Sequence, residues 1–258
     1  MRAKLLSLFL LFGAAPAFGA LSVVQSTACV SNGVAVASQS CNFTSTPTAG
    51  NLIVVTCTSY DFNGTISLAA SDNQGNSYSV DASSSQGNTD NKVIASIHHA
   101  SNVSASGTFT ITCTPSASDY IVMAGYEIAG ASTTSTLDQI AQKTNFGAGQ
   151  AQTSITSDGA TTVADEIIVV SNGLATNTTP TAGTNYTLLE TRVSVTANVV
   201  AFVDEYRIVS ATGSQTATIN YSPSISGNAM VMATYKIAGA AGGGGGATDN
   251  PRRVIISQ

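Results

Sequence analysis

A ten-residue block that occurs twice constrains this chain more than any other feature. Val122-Met123-Ala124-Gly125-Tyr126-Glu127-Ile128-Ala129-Gly130-Ala131 returns as Val231-Met232-Ala233-Thr234-Tyr235-Lys236-Ile237-Ala238-Gly239-Ala240, changed only at Gly125/Thr234 and Glu127/Lys236. Upstream, Val103-Ser104-Ala105-Ser106-Gly107 matches Val209-Ser210-Ala211-Thr212-Gly213, and Asn51-Leu52-Ile53-Val54-Val55 resembles Glu166-Ile167-Ile168-Val169-Val170. The blocks keep their order and differ in separation only by loop-sized amounts. Two homologous halves follow, roughly 50–131 and 165–240, rather than a short-period solenoid.

Within each half, Val and Ile alternate with Thr and Ser, and the runs are broken by Asn-Gly, Gly-Asn and Ser-Gly turns. That pattern predicts strand after strand. Asp72-Asn73-Gln74-Gly75-Asn76 reads as a hairpin connection between 65–70 and 77–82, and Thr136–Lys143 as a loop or extended crossover. No segment sustains a helical period. The expected fold is all-β, a two-sheet jelly-roll-like sandwich over 20–240. A half of about 80 residues is small for a free-standing domain. The halves are therefore expected to share a core, with a tandem of two small sandwiches as the alternative.

Of the 258 residues only 9% are charged, 43% are hydrophobic, and the net charge is −5. An ordinary soluble domain carries roughly 25% charged residues, so a charge-rich disordered chain and a coiled coil are excluded. A nucleic-acid partner is disfavoured, because phosphate contacts need Lys and Arg. Two of the few basic residues, Arg2 and Lys4, open a segment that reads as a signal peptide over 1–19. Leu5–Phe12 is its short apolar run and Ala17-Phe18-Gly19 its small-residue cleavage site. The run is shorter than the ~20 apolar residues that span a bilayer, so the expectation is an exported chain without a membrane span, secreted or at the cell surface.

Four cysteines suit an oxidising compartment. Cys113 alternates in phase with Phe109 and Ile111, and Cys57 with Ile53 and Val55, so both thiols face an interior. Cys29 and Cys41 flank the turn at Ser31-Asn32-Gly33. Of three pairings, 57–113 with 29–41 is preferred. The repeat sets Asn172 against Cys57 and Tyr221 against Cys113, so the second half lacks both members of that pair.

The blocks 49–55, 71–78, 125–131 and Leu137-Asp138-Gln139 resemble a widespread type of secreted bacterial or phage-associated β-sandwich module, similar to lectin-like jelly rolls and mostly without assigned activity. The resemblance covers most of 22–240. It implies a fold and supplies no catalytic residues.

Chemistry-bearing motifs are sparse. His98 and His99, the only histidines, point to opposite faces of a strand and cannot share one metal ion. The repeat sets them against Asp204 and Glu205, which suggests a solvated strand end. There is no Gly-x-Ser-x-Gly elbow, and no pair of carboxylates stands out for glycoside hydrolysis. No cofactor is expected. Calcium is the one ion left open, because Asp72–Asn76 and Asp61-Phe62-Asn63-Gly64 carry suitable oxygens, but both read as plain β-turn chemistry. Tyr126 and Tyr235 read as paired core residues, while Tyr60, Asp61 and Tyr120 are the candidate exposed ligand contacts. Gly242–Gly246 is a flexible linker. Arg252, Arg253, Val254, Ile255 and Ile256 beyond it form a candidate docking strand for a second molecule. The expected function is non-enzymatic surface binding, adhesion or assembly. The alternatives are a carbohydrate-binding lectin-like module and, third, a secreted hydrolase; the expected partners are another copy or a surface glycan.

Overall fold

The computed structural model describes residues 19–60, 66–86, 93–194 and 200–239. The signal segment, Asp61 and the C-terminal tail with Arg252 to Ile256 lie outside the described residues. The chain is all-β, with strands β1 (Ser22–Val30), β2 (Gln39–Asn42), β3 (Leu52–Ser59), β4 (Leu68–Asp72), β5 (Ser79–Gln86), β6 (Val93–Ala100), β7 (Thr110–Pro115), β8 (Ile121–Ala129), β9 (Leu137–Thr156), β10 (Glu166–Leu174), β11 (Thr179–Thr181), β12 (Thr187–Ser194), β13 (Val200–Val209) and β14 (Thr216–Lys236). Thr136–Lys143 is thus mostly the start of a long strand. Its alternation was too short to separate from a crossover.

Each half contributes one large antiparallel sheet. The first runs β1-β8-β3-β6-β5, the second β11-β14-β10-β13-β12 with β9 on β14. They face each other across a core made from both halves: Leu52, Val54, Tyr126 and Ile128 meet Ile167, Val169, Phe202 and Tyr235. This is the two-sheet sandwich built from two halves. The approach is close at Gly173, where a Cβ would stand 2.9 Å from the Thr58 methyl.

Each half also covers the outer face of its own sheet. In the first half a separate sheet, β2-β7-β4, does so over Ile53, Val55, Phe109, Ile111 and Met123. In the second, β9 and β14 bend out of the large sheet. Their distal parts pair Thr216–Asn220 with Thr156–Gln152 and seal Ile168, Val170, Ile219 and Met232. Central strands β3 and β10 are consequently buried on both faces along their whole length. That is why they read as unbroken apolar runs.

Both disulfides join sheet to covering layer in the first half: Cys29 of β1 to Cys41 of β2, and Cys57 of β3 to Cys113 of β7. The 71–78 turn also crosses between layers and is not a hairpin, since β4 pairs with β7 and β5 with β6. The Asp72 carboxylate fixes that crossover by accepting from Gln74 N (2.8 Å), Asn76 N (3.2 Å), Asn76 Nδ2 (2.8 Å) and Tyr78 Oη (3.0 Å). With four donors already on it, this carboxylate is a turn clamp rather than a calcium ligand.

The pairing register corrects two repeat correspondences. Val54 lies opposite Tyr126 and Ile167 opposite Tyr235, so Val54 is equivalent to Ile167 and Cys57 to Val170. Asn172 sits two residues further on and faces the same outer core, where its amide donates to the Tyr221 hydroxyl. Likewise Ala100 opposite Ile53 corresponds to Val209 opposite Glu166, so His98 and His99 match Arg207 and Ile208, not Asp204 and Glu205.

Candidate functional site

The repeated tyrosines sit at the seam between the halves. Tyr126 of β8 and Tyr235 of β14 are both fully buried in the shared core. A buried phenol needs a hydrogen-bond partner, and each finds a carboxylate of the opposite half. Tyr126 donates to Asp204 Oδ2, which also accepts from Thr56 Oγ1 at 2.5 Å. Tyr235 donates at 2.6 Å to Asp81 Oδ2, whose other oxygen lies 2.6 Å from His99 Nδ1. Two Tyr–Asp latches therefore run in opposite directions across one core.

These acids are held inside the protein. Burial pushes the Asp204 carboxyl up to about 7, against the hydrogen bonds from Thr56 and Tyr126. Burial likewise raises Glu205 to about 7, although Gly183 N donates to its Oε2 at 3.0 Å. Glu166 is also raised to about 7 by burial, with Asp138 adding to the shift. His98 is 1% exposed and pushed down to about 4 by burial, so it is neutral; its Nε2 lies 2.8 Å from Ser96 Oγ. The Ser96–His98 pair has the spacing of a nucleophile and base. Both residues are sealed inside the sheet, however, where no substrate reaches them.

The two differences within the repeated block have local causes. A Cβ at Gly125 would come within 2.3 Å of Ile111 in the covering sheet, whereas Thr234 faces β9 and accepts from Gln139 N at 3.0 Å. Glu127 is buried and accepts from Gln25 Nε2, Thr48 N and Asn51 Nδ2 at 2.6–2.7 Å. Its counterpart Lys236 instead pairs with Asp138 at 3.7 Å.

One accessible concavity lies elsewhere, on the covering layer of the second half. A groove of about 320 Å³ is lined by Gln152, Thr184, Tyr186, Thr216, Thr218 and Asn220, with Gly183 in its wall. Those side chains are all uncharged. Gly183 packs so tightly that a Cβ there would stand 2.2 Å from Thr218 O. Tyr186, its ring 5.9 Å from the Arg207 guanidinium carbon, is 8% exposed.

The sequence-derived contacts fall differently from expectation. Tyr60 is 7% exposed and belongs to the shared core, and Tyr120 packs half-buried against it. The end of β3 turns Tyr60 inward between the large sheets, so it is not the exposed contact its turn-like neighbours suggested. His98 and His99 are not a solvated strand end: one is buried and the other is tied to Asp81. Sequence reasoning missed Asp81, Asp204 and the groove. The signal for the groove was present as Thr216-Ala217-Thr218-Ile219-Asn220, a strict polar–apolar alternation.

No protein family, no curated protein and no solved structure matches the chain. Among the described residues no group of His, Cys, Asp and Glu is arranged to hold a metal ion, and no helix is long and apolar enough to cross a membrane.

Proposed function

We propose that this chain is an exported, non-enzymatic binding module that acts in surface attachment or assembly. The observation that carries the reading is where the charge goes. Asp81, Asp204, Glu205, Glu127 and Glu166 are all buried, the first four in hydrogen bonds that tie strands, loops or halves together, and the open groove is lined by hydroxyls and amides. Such a molecule spends its ionisable groups on rigidity and offers a neutral hydrogen-bonding surface to its partner. The two disulfides suit an oxidising, extracellular setting, and the resemblance to lectin-like jelly rolls points the same way.

The full exported chain should bind a surface without altering it. Its retention on immobilised glycans and on whole cells, with its sedimentation profile over a concentration series, measures this. Retention or concentration-dependent self-association supports the reading. Turnover of ester or glycoside substrates by the purified chain, lost on substitution of a groove residue, overturns it in favour of a hydrolase.

A further inference from the structure

The shared core opens where β10 begins and β14 ends. Ala20, Leu21, Asp165, Ile208 and Ile237 line a concavity of about 360 Å³ there. Leu21 belongs to the core and Ile237 packs half-buried against it, whereas Ile208 is 43% exposed. Ile208 pairs with Ile167, which lies in that core, so both share the inward face of the sheet. Gly19 and Ala20 are held against Gly130, φ +76°, where a Cβ would stand 2.5 Å from Gly19 O.

Ile208 is exposed because its sheet is cut short beside it. β12 pairs with β13 only from Ser194 opposite Val200 to Thr187 opposite Tyr206, while β10 follows β13 as far as Val209. Residues 207–209 therefore have a neighbouring strand on one side only. An open strand edge beside an exposed aliphatic side chain is a template for one more strand.

The chain itself carries a segment that fits. The described residues stop at Gly239, two positions past Ile237 in the wall of the concavity. Val254-Ile255-Ile256, preceded by Arg252-Arg253, begins 15 positions beyond Gly239, with Gly242–Gly246 between. A glycine-rich connection of that length spans about 20 Å on average, and it starts at the rim of the concavity. Three β-branched residues in a row favour a strand, in which Val254 and Ile256 fall on one face. Asp165 is exposed at the concavity and offers the two arginines an acid. A surface ion pair adds little affinity, so its part is to set the orientation. Tethering on a short linker gives the segment an effective concentration of the order of mM, well above that of a second copy in micromolar solution.

We infer that residues 252–256 dock on their own chain at this concavity, adding a short strand to β13 beyond the end of β12. Val254 and Ile256 cover Ile208 and Leu21, and the arginines lie beside Asp165. The docked tail closes an edge that would otherwise pair with another copy. This holds whatever the module binds, and its failure would leave the binding-module reading untouched.

The test is hydrogen–deuterium exchange, read by mass spectrometry, on the exported chain and on two variants whose folding is verified by circular dichroism. V254S/I255S/I256S keeps the length and the arginines of the tail, and I208D alters an exposed position of the concavity. Amides of 207–209 should exchange about ten-fold more slowly in the parent than in the triple variant. I208D should speed exchange of 254–256 by a similar factor, while 167–170 in the core exchange alike in all three proteins. The parent's protection should not change with its concentration. Equal exchange of 207–209 in the parent and the folded triple variant overturns the docking, as does an acceleration that extends equally to 167–170. Protection that grows with concentration, together with a dimer in sedimentation, overturns docking within one chain and assigns the site to the tail of a second copy.

Discussion

Asp204 gives the sharpest test of the seam between the halves. Its carboxyl is fully buried and raised from an ordinary 3.8 to about 7, so the folded chain holds a proton there that the unfolded chain has already released. Between those two values the folded state binds more protons, and its stability therefore falls as pH rises. Integrated from pH 5 to pH 8, this one group costs about 2.5 kcal/mol. Asp204→Asn removes the titration and keeps an acceptor for Tyr126 and Thr56. The stability of the variant relative to wild type should rise by about 2.5 kcal/mol between pH 5 and pH 8. His98 titrates the opposite way: its pKa is lowered to about 4, so its contribution is lost as pH falls from 6.5 towards 4. It is common to both proteins and cancels in the comparison. Guanidinium unfolding of both proteins at pH 5, 6, 7 and 8 gives the two profiles. If they run parallel within 0.5 kcal/mol, roughly the scatter of additive substitutions, Asp204 is not the sealed, protonated group described above.

Other outcomes follow from the same contacts. Replacing Cys57 and Cys113 together with Ala should lower stability by about 4 kcal/mol, the chain-entropy value for a loop of this length, and non-reducing peptide mapping of the parent should recover the two peptides linked. Gly183→Ala should cost about 1–3 kcal/mol, because its Cβ would collide with the Thr218 carbonyl; a melting temperature equal to wild type would contradict the packing of the groove wall. Residues 20–150 expressed alone should give poorly dispersed amide spectra, since removing the second half uncovers the face carrying Leu52, Val54, Tyr126 and Ile128. A cooperatively folded, well-dispersed half would show that the shared core is dispensable.

How much of this was legible in the sequence depends on the distance over which each contact acts. The all-β class and the alternation around Cys57 and Cys113 are local properties, and a period of two is visible in any six residues. The disulfide pairing was legible for the same reason, since each thiol shares a face with its apolar neighbours. The alternation of Thr216 to Asn220 was equally readable, but without the fold nothing marked it as the open face of a covering layer. The latches were not readable. Asp204 lies 78 residues from Tyr126, and Asp81 lies 154 from Tyr235. No local pattern says which acid meets which phenol.

The repeat correspondences failed in two instructive ways. Setting Leu52 against Ile167 in place of Val54 is a slip of two residues, which keeps every side chain on its face, so alternation cannot detect it. Setting His98 against Asp204 in place of Arg207 is an odd slip, and it exchanges the faces. Asp204 in truth points into the shared core, and His98 points into the first half's own outer core beside Ser96. The parity of the error is what turned a buried latch and a buried histidine into an expected solvated strand end.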